Sequence, residues 1–150
     1  MNNELRVMVV EDNESDMALI TMALEAADIS FIAVSDSREA LEAAIAYKPS
    51  IAILDVQMPE LDGRQVRQQL DTHPETSHIR VIFLSAAERA EDVLYGLNLQ
   101  FSGFFQKGVQ IGHVIDSIMA LDCATNIRAS VNVFSHVSQR IANKYETLAH

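Results

Sequence analysis

The sequence predicts an α/β fold: a mainly parallel sheet with helices on both faces. Three observations carry this expectation. Five short apolar stretches rich in β-branched residues each have the length of a buried strand. Each is followed by a stretch with helical periodicity, giving five alternations in 150 residues. Four of the five strands also run into a polar residue at the carboxyl end: Glu11–Asp12, Asp55, Ser85 and Lys107.

Leu5–Val10 is the first apolar strand, and no polar residue other than Arg6 interrupts it. From Glu14 to Ala27 the apolar residues Met17, Ile20 and Leu24 recur at helical spacing. Phe31–Val34 is the second strand, and Asp36–Ser37–Arg38–Glu39 has the form of a capping box opening a helix to about Tyr47. Lys48–Pro49–Ser50 turns the chain into strand three, Ile51–Leu54, which ends on Asp55. Met58–Pro59 is a turn device, and Asp62 caps a helix that Gly63 begins and that runs through Leu70. Arg80–Leu84 is strand four, 88–99 is helical, Gly103–Gln106 is a short fifth strand, and a last helix covers about Gln110–Leu121. Crossovers between parallel strands are expected to be right-handed.

Composition narrows the function classes. The chain is 49% hydrophobic and 21% charged, the balance of a soluble globular protein. A formal net charge of −10 argues against direct nucleic-acid binding, which needs a concentrated basic surface. The apolar runs are too short to span a membrane, Met1–Glu4 lacks the basic start of a signal peptide, and a single cysteine, Cys123, permits no intrachain disulfide. A cytoplasmic location is the expectation. The charge is also uneven: residues 1–122 hold 8 Lys/Arg against 20 Asp/Glu, whereas residues 123–150 hold 3 against 1. The expected organisation is therefore a domain over 1–122 and an amphipathic helix over 123–150.

Open parallel sheets bind ligands beyond the carboxyl ends of their strands. Three acids gathered there repel one another unless a cation compensates, and a hard divalent ion such as Mg²⁺ suits a sparse set of oxygen ligands. Asp12 and Asp55 are assigned as direct or water-bridged ligands, the Gln57 backbone carbonyl as a third, and Glu11 as the holder of a metal-bound water. The Ser85 hydroxyl and Lys107 ammonium are suited to hold phosphoryl oxygens, and Asp55 can accept the phosphoryl group itself as an aspartyl-phosphate. Glu14 and Asp16 lie in the first turn of a helix, where acids favour the dipole, and are expected to be structural.

VVEDN (9–13), ILDVQMPELDG (53–63), VIFLSA (81–86) and FFQKG (104–108) resemble, in order, the motifs of the bacterial response-regulator receiver domain, over roughly residues 5–121. The resemblance implies a flavodoxin-like doubly wound (βα)5 sheet of order 2-1-3-4-5, here with an additional C-terminal helix. It implies that Asp55 takes a phosphoryl group from a sensor histidine kinase or phosphotransfer protein, with Mg²⁺ at Glu11 and Asp12. Ser85 would be the switching hydroxyl, Lys107 the phosphate contact, and Phe104 the aromatic that changes rotamer with Ser85. The switch would bias the face made by the 88–99 helix, the 103–106 strand and the 110–121 helix. Gln57 and Ala87, two residues beyond the acceptor and the hydroxyl, are the positions expected to tune phosphate lifetime.

The chain departs from the family pattern where Gly108 replaces the usual proline and Gln100–Phe101 replaces a small Gly-Ala pair. Other function classes fit less well. A related aspartate-nucleophile phosphatase would carry a second aspartate at position 57, where Gln57 stands, so an enzyme acting on a separate substrate is not expected. A pseudo-receiver scaffold, independent of phosphorylation, would have lost the acceptor or the lysine. In the tail, Ala124, Val131, Ser138 and Tyr145 form one heptad seam and Ile127, Phe134, Ile141 and Leu148 the other. Either the helix dimerises through residues 124–148 or it folds back on its own domain. His136 raises phosphotransfer through the tail as an alternative, but it lacks the acidic neighbour and second helix that such an element needs. The chain is expected to be a free-standing regulator or one cut before an output domain.

Overall fold

The computed structural model describes residues 4–86, 101–108 and 111–127, with side-chain surroundings through Ala124. Five strands form one parallel sheet in the order β2-β1-β3-β4-β5: β1 Arg6–Val10, β2 Ser30–Val34, β3 Ile51–Asp55, β4 Arg80–Ser85 and β5 Gly103–Gln106. The described helices are α1 Glu14–Ala26, α2 Ala40–Tyr47, α3 Gly63–Thr72 and α4 Ile111–Ile127. This is the flavodoxin-like order expected from the motifs. The expected 88–99 helix, Ala87, His136 and the heptad seams beyond Ile127 lie outside the described residues.

Burial follows strand position. All of β3 and all but the first residue of β1 and β4 are buried, whereas the edge strands β2 and β5 are only partly covered. Central strands covered on both faces need continuous apolar sequence, which is why Val7–Val10, Ile51–Leu54 and Val81–Leu84 read so clearly. Phe83 lies fully buried and meets Phe101 edge-on, with ring centroids 5.7 Å apart.

Helix starts are fixed by side chains. Asn13 caps α1, its Oδ1 accepting from the Asp16 amide at 2.9 Å. Asp62 and Gln65 form a reciprocal capping box at α3. The capping box expected at 36–39 is instead a short 3₁₀ turn, Ser37–Glu39, capped when Asp36 accepts from the Arg38 amide at 3.0 Å; α2 proper begins at Ala40. The last helix ends later than expected: α4 continues unbroken to Ile127, across the 122/123 charge boundary. No Pro or Gly follows Gly112 in this helix to stop it.

Gly63 decides how closely α3 approaches the sheet. Its amide donates to the Val56 carbonyl at 3.0 Å, and a Cβ at this position would fall onto the carbonyl oxygen of Asp55. The start of α3 is thereby seated against the end of β3.

Candidate functional site

The carboxyl ends of β1, β3, β4 and β5 meet at one rim. Register places Asp55 opposite Leu84 and Ser85 opposite Gln106, so the acceptor candidate, the hydroxyl and the lysine follow one another across three neighbouring strands. The Lys107 amide donates to the Ser85 carbonyl at 2.7 Å, which ties the backbone of the lysine to that of the hydroxyl.

Asp55, buried in β3, has both carboxylate oxygens engaged. Oδ1 accepts from the Gln57 amide at 3.2 Å, and Oδ2 accepts from Lys107 Nζ at 2.9 Å. A backbone donor and an ammonium thus fix the orientation of the carboxylate. Glu11 is 1% exposed. Its Oε1 accepts from the Asn13 amide at 3.1 Å, and its Oε2 lies 2.9 Å from Lys107 Nζ. Burial outweighs these contacts, and the Glu11 carboxyl is pushed up to about 7. Burial alone would lower the Lys107 ammonium, but its ion pairs with Asp16, Glu11 and Asp55 outweigh that and hold it well above the usual lysine range.

Asp12 is exposed at the mouth of the rim. Carboxylate oxygens of Glu11, Asp12 and Asp55 all lie within 4.8 Å of one another. A set of hard oxygens at that spacing fits a divalent cation of the Mg²⁺ kind. Gln57 has an exposed side chain, Ser85 is fully buried, and Phe104 is partly buried against the core with its ring centroid 6.4 Å from that of Phe101. Gly108 adopts φ 97°, a backbone conformation open to glycine, and no cis peptide bond occurs among the described residues.

Residues 7–119 match the family model of the response regulator receiver domain. The chain belongs to this family. The alkaline phosphatase synthesis transcriptional regulatory protein PhoP of Bacillus subtilis is 34% identical over 106 residues, 68% of this chain and 42% of PhoP. The polar-differentiation response regulator DivK of Brucella anthropi is 38% identical over 80 residues, 53% of this chain and 65% of DivK. The chain thus spans less than two thirds of the length of either relative. Among solved structures, a response regulator from Desulfuromonas acetoxidans superposes with a TM-score of 0.69 at 26% identity, covering 78% of this chain and 95% of that one. The receiver is a signalling domain of two-component systems. Among the described residues, no helix is long and apolar enough to cross a membrane.

Two residues at or beside the rim escaped the sequence reading. Asp16, expected only to favour the helix dipole, accepts from Lys107 Nζ at 2.8 Å. The available signal was that α1 starts at the end of β1, so an acid in its first turn faces the same rim. Ser37 is buried and bridges the loop after β3, donating to the Pro59 carbonyl at 3.1 Å and accepting from the Leu61 amide at 3.1 Å. Its position before α2 gave no sequence signal for that contact.

Proposed function

We propose that this receiver accepts a phosphoryl group on Asp55 from a sensor histidine kinase or a phosphotransfer protein. The observation that carries the reading is the pinned carboxylate: Asp55 Oδ2 lies 2.9 Å from Lys107 Nζ, and its Oδ1 is held by the Gln57 amide. Glu11, Asp12, Asp55 and the Gln57 carbonyl would hold Mg²⁺, which supplies positive charge against the acids and the incoming phosphoryl oxygens. An Asp55 oxygen forms the new bond to phosphorus while the bond from phosphorus to the donor breaks. Lys107 neutralises the charge that gathers on the phosphoryl oxygens.

The proposed switch uses the same residues. A dianionic group on Asp55 draws the Ser85 hydroxyl and Lys107 toward it, and Phe104 turns into the space Ser85 leaves. Gln57 and Ala87, two residues beyond the acceptor and the hydroxyl in sequence, are the positions assigned to tune the lifetime of the phosphate. The α4 helix carries the first residues of both heptad seams, Ala124 and Ile127, and pairing through residues 124–148 would put a homodimer under control of the switch, in the cytoplasm.

Intact-mass spectrometry after treatment with acetyl phosphate and Mg²⁺ tests the reading. One added phosphoryl group on the wild-type chain and none on Asp55→Asn is the expected result. Equal labelling of the two would overturn it. Sizing the labelled and unlabelled forms tests the tail: a dimer that forms on labelling supports pairing through residues 124–148, and a constant monomer contradicts it.

A further inference from the structure

We propose that Asp16 is a positioning residue that competes with the phosphorylated acceptor for Lys107 and thereby shortens the life of the aspartyl-phosphate. The inference rests on Asp55 being the acceptor, and it concerns an acid that the receiver motifs leave unused.

An ammonium has three protons to donate. Lys107 Nζ meets Asp16 Oδ2 at 2.8 Å, Glu11 Oε2 at 2.9 Å and Asp55 Oδ2 at 2.9 Å, so three carboxylates on three segments share one cation. Asp16 is placed by backbone: its amide is capped by Asn13 Oδ1 at 2.9 Å, and the next amide, Met17, donates to the Asn13 carbonyl at 2.9 Å. The backbone therefore sets residue 16 beside the rim, and from there its carboxylate reaches Lys107. Asp16 and Lys107 also border a small cavity of about 40 Å³ whose other walls include Leu19, Ile20, Leu84 and Val114. Apolar walls strengthen the pull between the two charges.

Phosphorylation places a dianion where the Lys107 charge is already divided. Asp16 keeps one of the three donors and adds a negative charge close to the new group, which repels it. That repulsion raises the energy of the phosphorylated state, and it is relieved as the phosphoryl group loosens from the Asp55 oxygen in the metaphosphate-like transition state of hydrolysis. In the hydrolytic step, a water oxygen bonds to phosphorus and the bond from phosphorus to the Asp55 oxygen breaks. Asp55 leaves as a carboxylate, and the water proton departs with inorganic phosphate. Asp16 touches none of these atoms; it acts through Lys107.

The test follows decay of the label on the 150-residue chain loaded with acetyl phosphate and Mg²⁺ and then freed of donor. Asp16 is 38% exposed and its side chain does not cap α1, so Asp16→Asn and Asp16→Ala are expected to fold, and urea unfolding of each checks this. Both should lengthen the phosphate half-life about threefold, the scale of one partly exposed ion pair. Asp16→Glu, which restores the charge, should return it toward the wild-type value. A role confined to the helix dipole would lower stability and leave the half-life unmoved. Labelled wild type with unchanged or shorter half-lives in Asp16→Asn and Asp16→Ala overturns the inference while leaving the acceptor reading intact. A wild-type chain that takes no label overturns both.

Discussion

Among the described residues charge is buried in two places, and the two are built differently. Beside β4, Arg67 lies buried in α3, where Nη1 donates to the Ile79 carbonyl at 3.0 Å and Nη2 pairs with Asp71 one turn along the helix at 3.2 Å. One cation meets one anion and one backbone carbonyl. At the rim, a single ammonium faces Glu11, Asp16 and Asp55, with Asp12 beside them. The Arg67 site is balanced and serves the fold. Among the described residues the rim carries more negative charge than its one ammonium balances, and such an excess is a place for a cation.

The largest effect that would sharpen this contrast is expected at Arg67. Arg67→Ala should cost about 3 kcal/mol in urea unfolding, through the lost hydrogen bond and packing, while leaving Asp55 labelling in place. Loss of labelling in a folded Arg67→Ala chain would break the division between the two regions. Next comes Glu11→Gln, which removes a buried excess charge. In chelator at pH 8 the variant should be more stable than wild type by about 2 kcal/mol, and its Mg²⁺ affinity should fall about tenfold. A destabilised Glu11→Gln chain at that pH would contradict the excess-charge account.

The pH dependence follows from the same residue. The Glu11 carboxyl titrates near 7 in the fold against 4.5 in the unfolded chain, so the folded state binds its proton more tightly. Its contribution to metal-free stability is full below pH 4.5 and is lost as pH rises to about 7. Glu11→Gln should flatten that slope, and saturating Mg²⁺ should reverse it by favouring the ionised form. Unfolding midpoints that are level from pH 5 to 8 in the wild-type chain would contradict the assignment. The smallest effect is at Ser37. Ser37→Ala should cost about 1 kcal/mol and weaken Mg²⁺ binding through the loop that carries Gln57. Unchanged Mg²⁺ affinity would show that this loop holds its place without the serine.

The sequence made much of this legible because the physics was local. Continuous apolar runs such as Ile51–Leu54 mark strands covered on both faces, and the residue that ends each run must stand at the rim. Glu11, Asp12, Asp55, Ser85 and Lys107 were found that way. Asp62 was equally plain, since a capping residue and the helix it starts are neighbours. The Asp16 ion pair was not legible, because Lys107 lies 91 residues away and only the completed sheet brings them together. The 36–39 segment has the right residues for a capping box, yet the chain closes a tighter turn while Ser37 is drawn to the loop at Pro59 and Leu61. The helix over about 110–121 extends further, to Ile127, because no Pro or Gly stands between Leu121 and Ile127 to mark an end.

The central claim is that the rim makes Asp55 the site of phosphoryl attachment. Borohydride reduction of the labelled chain, which converts an acyl phosphate on aspartate to homoserine, followed by peptide mapping, tests it most directly. The account predicts homoserine at position 55, dependent on Mg²⁺ and reduced in Lys107→Ala. Homoserine at another acid, or at none in a chain that has taken the label, would contradict it.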